Sequence, residues 1–150
     1  MEVQLQILGL VALASLLGAL VGLERELAKK NAGLRTHMFV AASAALLISL
    51  ANLIVPQLEI DPALLSLDPI RMIEAIVTGI AFLGAGTIIR QKDDVEGLTT
   101  AASLLFVGAI GITVALSQFV LAIGLTLMSL FILRGLMLIG RRILVDGEGE

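Results

Sequence analysis

The sequence predicts an all-α fold: a polytopic bundle of five transmembrane helices, with the N-terminus outside and the C-terminus in the cytoplasm. Hydrophobic residues make up 58% of the chain and charged residues only 15%, a balance that soluble domains do not show. The segment 99–133 contains no charged residue. The other charges gather between apolar runs, as expected when water reaches only the ends of the helices.

The first three predicted spans are the apolar runs 3–23, 38–55 and 72–89. Each is close to the roughly 20 residues that an α-helix needs to cross the hydrocarbon core. The first run has no basic segment before it and leads into more membrane sequence. We therefore interpret it as a retained span and not as a removable signal peptide.

The charge-free segment is long enough for two further spans. Ser117 and Gln118 are its most polar neighbouring pair, so we place a tight turn near 115–118 and the last span at 119–139. Residues 1–145 then form one transmembrane domain. Residues 146–150 are too polar and too few to fold, and we expect a frayed tail.

The positions of Lys and Arg predict the orientation, because cationic loops tend to stay in the cytoplasm. The cations concentrate in residues 24–37, 90–97 and 141–142. In contrast, the charged residues of 56–69 are all acidic, and 115–118 has no charged residue. Cations beside the membrane favour lipid as their neighbour, and the formal net charge of −3 does not favour a nucleic-acid partner. The chain has no Cys, which excludes disulfides and thiolate metal sites.

Small residues recur at helical spacing and predict where helices touch, since close backbone approach drives association in lipid. The predicted packing glycines are Gly18, Gly22, Gly79, Gly84, Gly86, Gly108 and Gly111. They suit packing within one chain or a homodimer. Gly84 and Gly86 also suit either an unbroken, closely packed helix or a broken helix of the kind that lines ion sites.

Glu74 is the predicted metal ligand, because a charge near the membrane centre costs at least about 2.5 kcal/mol and is usually functional. Hard cations prefer oxygen ligands, so this carboxylate suits an ion-binding or protonatable site, and no resident cofactor is expected. The alternative is an interfacial ion pair with Arg71, three residues earlier.

Nine residues of the inner segments form the predicted partner surface: Glu24, Arg25, Glu26, Arg35, Thr36, His37, Arg90, Thr99 and Thr100. Their charges suit an ion-pair network that locks the first three helices together, or a docking surface for a protein or an ion. Thr36 is the predicted N-cap of the second helix, and Thr99 or Thr100 that of the fourth.

Four motifs occur in order along the chain: GLERE at 22–26, AGLRTH at 32–37, GIAFLGAG at 79–86 and VEGLTTAAS at 95–103. Together they resemble the MgtC/SapB family of bacterial inner-membrane proteins. The resemblance implies a role in magnesium homeostasis and membrane partners such as ATP synthase or cation-transport ATPases. It also implies a soluble domain after the last span in many members, which we do not expect in this chain.

Three positions depart from the family pattern. Glu74 stands where Gln is common, Ala81 where Gly is common, and Thr99 where some members have Asn. The glutamate makes its site more acidic, which favours a role in binding a cation.

Two functions follow from these observations. The first is a non-enzymatic regulator in the bacterial cytoplasmic membrane, acting through membrane partners. The second is a small transporter or channel for Mg²⁺, with Glu74 as ligand or gate. No arrangement of nucleophile, base and oxyanion donors indicates an enzyme.

Overall fold

The computed structural model describes residues 1–54, 69–91 and 94–135. This part of the chain forms five α-helices and one β-hairpin. The helices are α1 (Glu2–Leu27), α2 (Leu34–Ile54), α3 (Pro69–Ala85), α4 (Leu98–Ala115) and α5 (Phe119–Leu130), and the strands are β1 (Ile89–Gln91) and β2 (Asp94–Glu96). A π-helical turn, Phe131–Gly135, continues α5.

Several predictions fall outside the described residues. These are the acidic segment 56–68, the end of the last span at 136–139, the cations at 92 and 141–142, and the tail 146–150.

The helices carry the composition of a membrane protein. The helices α1, α2 and α4 are long and apolar enough to cross a bilayer, with mean hydropathies of 2.2, 1.9 and 2.0. The helix α3 has 17 described residues, and Phe119–Gly135 is likewise shorter than 18. Large apolar side chains point out of the bundle, such as Phe82 at 80% and Val120 at 90% exposure, as expected for a surface that faces lipid.

The helix α4 lies at the centre of the bundle and contacts each of the other four described helices. Its buried side chains, including Leu104, Val107 and Ile110, form the core with Val21 of α1 and Ala41 of α2. The helix α3 packs mainly against α4 and only slightly against α2. Two chain reversals hold residues with positive φ, Lys29 after α1 and Ser117 between α4 and α5.

Glycines allow α1 and α4 to approach the backbone of α2. A Cβ at Gly18 would lie 2.6 Å from the His37 carbonyl oxygen, and one at Gly22 would lie 2.8 Å from Leu34 Cα. A Cβ at Gly111 would meet the carbonyl oxygen of Ala41. Without side chains at these positions, the helix backbones come into direct contact, which maximises dispersion between them.

The other predicted packing glycines divide into two groups. Gly84 faces Ala101 of α4, and Gly108 faces the end of the Ile80 side chain. In contrast, a Cβ at Gly79 would meet nothing within 4 Å, and one at Gly86 would meet only carbonyl oxygens of its own turn. Among the described residues, Gly79 and Gly86 therefore have no close neighbour from another helix.

Three local predictions differ from the structure. The helix α3 ends at Ala85 and not at 89, because the chain turns at Gly86 and enters the hairpin, so the fold is not purely α-helical. Strands β1 and β2 pair antiparallel, with Arg90 opposite Val95. Thr36 lies inside α2, and Gly97, with φ of 92°, takes the N-cap position of α4 ahead of Thr99 and Thr100.

Candidate functional site

Polar side chains are buried together at one end of the bundle, where α1 and α3 end and α2 and α4 begin. We call this the loop end. The buried polar residues of the loop end are Glu24, Arg25, His37, Thr100 and Ser103. They come from α1, α2 and α4, so they join the three helices that form the core.

Glu24 and Arg25 form a buried ion pair in the last turn of α1. The Nε of Arg25 donates to Oε2 of Glu24 over 2.5 Å, and the side chains are only 2% and 6% exposed. Removing either partner would leave the other charge buried without compensation, which is strongly destabilising. This pair therefore belongs to the framework of the loop end.

Glu26 caps the start of α2 from the end of α1. Its Oε2 accepts a hydrogen bond of 2.9 Å from the backbone N–H of Leu34, a donor with no acceptor inside the helix. A Cβ at Gly33 would lie 2.8 Å from the same oxygen, so glycine leaves room for the carboxylate. The negative charge also suits the positive end of the helix dipole.

His37 connects α2 to α4. Its Nδ1 lies 2.9 Å from the Gly33 carbonyl oxygen, which can only accept, so Nδ1 carries a proton. Its Nε2 lies 3.0 Å from Ser103 Oγ, and the same oxygen lies 2.8 Å from the carbonyl oxygen of Thr100. The imidazole, which is fully buried, thus links two helices whose residues are far apart in the sequence.

A cavity of about 800 Å³ opens at the loop end, and we call it the loop-end pocket. It is lined by Arg25, Lys29, Lys30, Asn31, Val95, Glu96, Gly97, Leu98, Thr99, Thr100, Ile132 and Leu133. The two lysines are exposed cations on its rim. Its size falls in the range of ordinary ligand pockets.

The remaining predicted surface residues are exposed at the loop end, and Thr99 among them lines the pocket. Arg35, Thr36, Arg90 and Thr99 are exposed, and the ion pair within the described residues is Glu24 with Arg25. Among the described residues, the wider ion-pair network is therefore not formed. Arg90 stands on the hairpin beyond α3, and the Glu26 carboxylate is engaged by the α2 backbone.

Glu74 lies in the second turn of α3, away from the loop end, and it is exposed on the outside of the bundle. Within the described residues it makes no salt bridge with Arg71, and no group of three or more His, Cys, Asp or Glu residues is close enough together to hold a metal ion. Its backbone oxygen accepts a bond of 2.7 Å from Thr78 Oγ1.

Ser103, Lys29, Lys30 and Asn31 belong to the site but were not among the predicted surface residues. Ser103 is the last residue of the VEGLTTAAS motif, so the sequence marked it as part of a motif but did not indicate its contact with His37. Neither its burial beside His37 nor the pocket rim could be seen before α2 and α4 were packed together.

Comparisons with known proteins relate the chain to one family. The model of the MgtC family matches residues 11–142. The chain is 42% identical over 124 residues to "Protein MgtC" of Salmonella typhimurium LT2, covering 83% of this chain and 49% of that protein. It is 35% identical over 122 residues to "Putative magnesium transporter YhiD" of Escherichia coli K12, covering 81% of this chain and 56% of that protein.

An uncharacterised protein of Haemophilus influenzae is 37% identical over 101 residues, or 67% of this chain and 42% of that protein. The chain thus spans about half the length of the curated relatives it matches. No solved structure matches it significantly.

Proposed function

The chain belongs to the MgtC family of magnesium-linked membrane proteins, and on that basis we propose that it is a non-enzymatic regulator of magnesium homeostasis. In this proposal it acts in the bacterial cytoplasmic membrane by binding other membrane proteins. ATP synthase and cation-transport ATPases are the partner classes, as the family resemblance implies.

The observation that carries this proposal is the rigid polar framework at the loop end. The contacts of Glu26 with the start of α2 and of His37 with Ser103 connect three helices, and the buried Glu24–Arg25 pair of α1 lies at the same end. Around that framework, Lys29, Lys30 and Arg35 are exposed. A preorganised surface loses little side-chain and loop entropy when a partner docks, and its cations favour an acidic partner.

Site-directed photo-crosslinking in cells tests the proposal. A photoreactive residue replaces Arg35 at the loop end, and a matched one replaces Val120, which is 90% exposed at the opposite end of the bundle. We expect discrete protein adducts from position 35 in cells grown at low magnesium, and none from position 120. Adducts from neither position, or the same adducts from both, would contradict a docking surface at the loop end.

The second candidate is transport of Mg²⁺, which two observations favour. One relative is named as a putative magnesium transporter, and Glu74 places an exposed carboxylate on α3. Because Mg²⁺ keeps several waters, one carboxylate can contribute to its path without a complete protein cage.

Magnesium uptake into liposomes separates the two functions. Liposomes with purified protein are compared with protein-free liposomes and with the Glu74→Gln variant. Uptake that the variant loses would establish transport and displace the regulator as the main function. No uptake by folded protein would leave partner binding as the function to pursue.

A further inference from the structure

We propose that the loop-end pocket is a binding site for a phosphate group, carried by an anionic lipid headgroup or by a soluble phosphate compound. The proposal holds whether the chain regulates or transports. It depends on the pocket's own donors, its charge and its apolar wall.

The first turn of α4 supplies backbone donors to the pocket. Gly97 occupies the N-cap and has no side chain, and the first helical bond runs from Ala101 N–H to the Gly97 carbonyl oxygen. The N–H groups of Leu98, Thr99 and Thr100 therefore have no acceptor within the helix, and all three residues line the pocket. Free N–H groups and the positive end of the dipole attract an anion.

Thr100 gives an independent indication of a ligand. It is only 3% exposed and lines the pocket, and none of the described residues makes a hydrogen bond with its hydroxyl. In contrast to Ser49 Oγ, the hydroxyl oxygen keeps some accessible surface, and the residue lines the pocket. A hydroxyl with no protein partner at the wall of a pocket is available to donate a hydrogen bond to a ligand.

Arg25 adds a second buried donor. Its side chain is 2% exposed and lines the same pocket. Its Nε is bonded to Glu24, whereas its two Nη nitrogens make no hydrogen bond with any residue that the structure describes. A guanidinium held in place by a carboxylate presents the planar pair of donors that phosphate oxygens accept best.

The charge and the shape of the rim suit the same ligand. Lys29 and Lys30 are exposed cations of the lining, and Glu96 is the carboxylate among the described lining residues, where it makes no salt bridge with another described residue. Leu98, Ile132 and Leu133 form an apolar wall from α4 and the π-helical turn. Basic pockets between the ends of transmembrane helices suit the headgroups of anionic lipids, and an apolar wall suits the first carbons of an acyl chain.

The test measures binding of two probes to the purified full chain in detergent at low salt. One probe is phosphatidylglycerol, compared with phosphatidylcholine and counted by native mass spectrometry. The other is inorganic phosphate, compared with chloride at equal ionic strength and followed by the thermal midpoint of unfolding.

Two variants alter the pocket: Thr100→Val, which keeps the shape and charge of the side chain, and the double variant Lys29→Gln with Lys30→Gln. Thr78→Val and Arg71→Gln, both on α3 and outside the pocket, are their matched controls.

We expect Thr100→Val to weaken binding about ten-fold, the effect of one hydrogen bond to a charged acceptor. The double lysine variant should weaken it by a similar factor and reduce its salt dependence. Binding of phosphatidylglycerol alone would support a lipid site, and binding of inorganic phosphate would support a soluble ligand. The proposal is overturned if neither probe binds, or if both pocket variants bind as the controls do. The lysines are exposed, so the double variant decides the test if Thr100→Val does not fold.

Discussion

At the scale of single residues, Gly18 and His37 determine how closely α1 and α2 can pack. The missing side chain at Gly18 brings α1 against the backbone of α2 at the turn that presents the His37 imidazole to Ser103. The close packing at Gly18 thus helps to position the hydrogen bond between His37 and Ser103 of α4. A substitution at Gly18 or His37 is expected to disturb this contact.

Gly18→Ala should destabilise the protein by about 1–3 kcal/mol, because overpacking forces the helices apart. The added Cβ would lie 2.6 Å from the His37 carbonyl oxygen and 2.9 Å from Ala41 Cβ. The free energy of unfolding in a denaturing-detergent titration measures the effect. Gly124→Ala is the control, since nothing lies within 4 Å of its Cβ position, and an equal loss in both variants would contradict the close approach.

At the scale of elements, the start of each loop-end helix is completed differently. The first N–H of α2 is satisfied by Glu26 from the preceding helix, whereas α4 begins at Gly97 without a side-chain cap. Threonines in or near these first turns led to the prediction of hydroxyl caps. Helix capping depends on the backbone dihedrals at the exact helix boundary. Both helices begin two or three residues earlier than they would if these threonines were the N-caps.

Glu26→Ala should loosen the first turn of α2 by about 1 kcal/mol, the usual effect of losing a cap. Amide hydrogen exchange at Leu34 would then be about five-fold faster. Glu26→Gln is the matched control, because its amide oxygen can still accept the bond, and most of the protection should remain. Equal exchange in the alanine variant and the unaltered protein would show that the contact does not stabilise the helix.

At the scale of the whole molecule, small residues occupy the closest helix contacts, and many large apolar side chains face outward. Glycines and alanines lie where α1 and α4 meet α2, beside a core of Val, Ile and Leu, while exposed leucines and phenylalanines cover the outside. Water would oppose such an arrangement, but lipid does not, because there is no hydrophobic gain in turning apolar side chains inward. Packing of backbones and a few hydrogen bonds then carry the association of the helices.

The Cys-free chain allows a direct test of the proposed orientation. Lys30→Cys and Gln118→Cys place single thiols at exposed positions at opposite ends of the bundle. In whole cells, a membrane-impermeant thiol reagent should label position 118 but not position 30, and permeabilised cells should label both. Labelling of position 30 in intact cells would reverse the orientation.

The sequence alone determined the membrane class, the family, the helical bundle and the turn between α4 and α5. Hydropathy and the run of charges depend on residues close together in the chain, so these features can be predicted without knowing any contact. The family comparison confirms the resemblance carried by the four loop-end motifs. The hairpin after α3 was missed, because three-residue strands leave almost no periodic signal.

Only the tertiary structure decided which of the predicted site residues are buried and which contacts they make. Arg25 and Arg35 looked equivalent in the sequence, but one is buried in an ion pair and the other is exposed. His37 and Ser103 are 66 residues apart and meet only when α2 packs on α4. Burial and pairing depend on which helices become neighbours, and that choice is made by the whole set of packing contacts rather than by any local stretch of the chain.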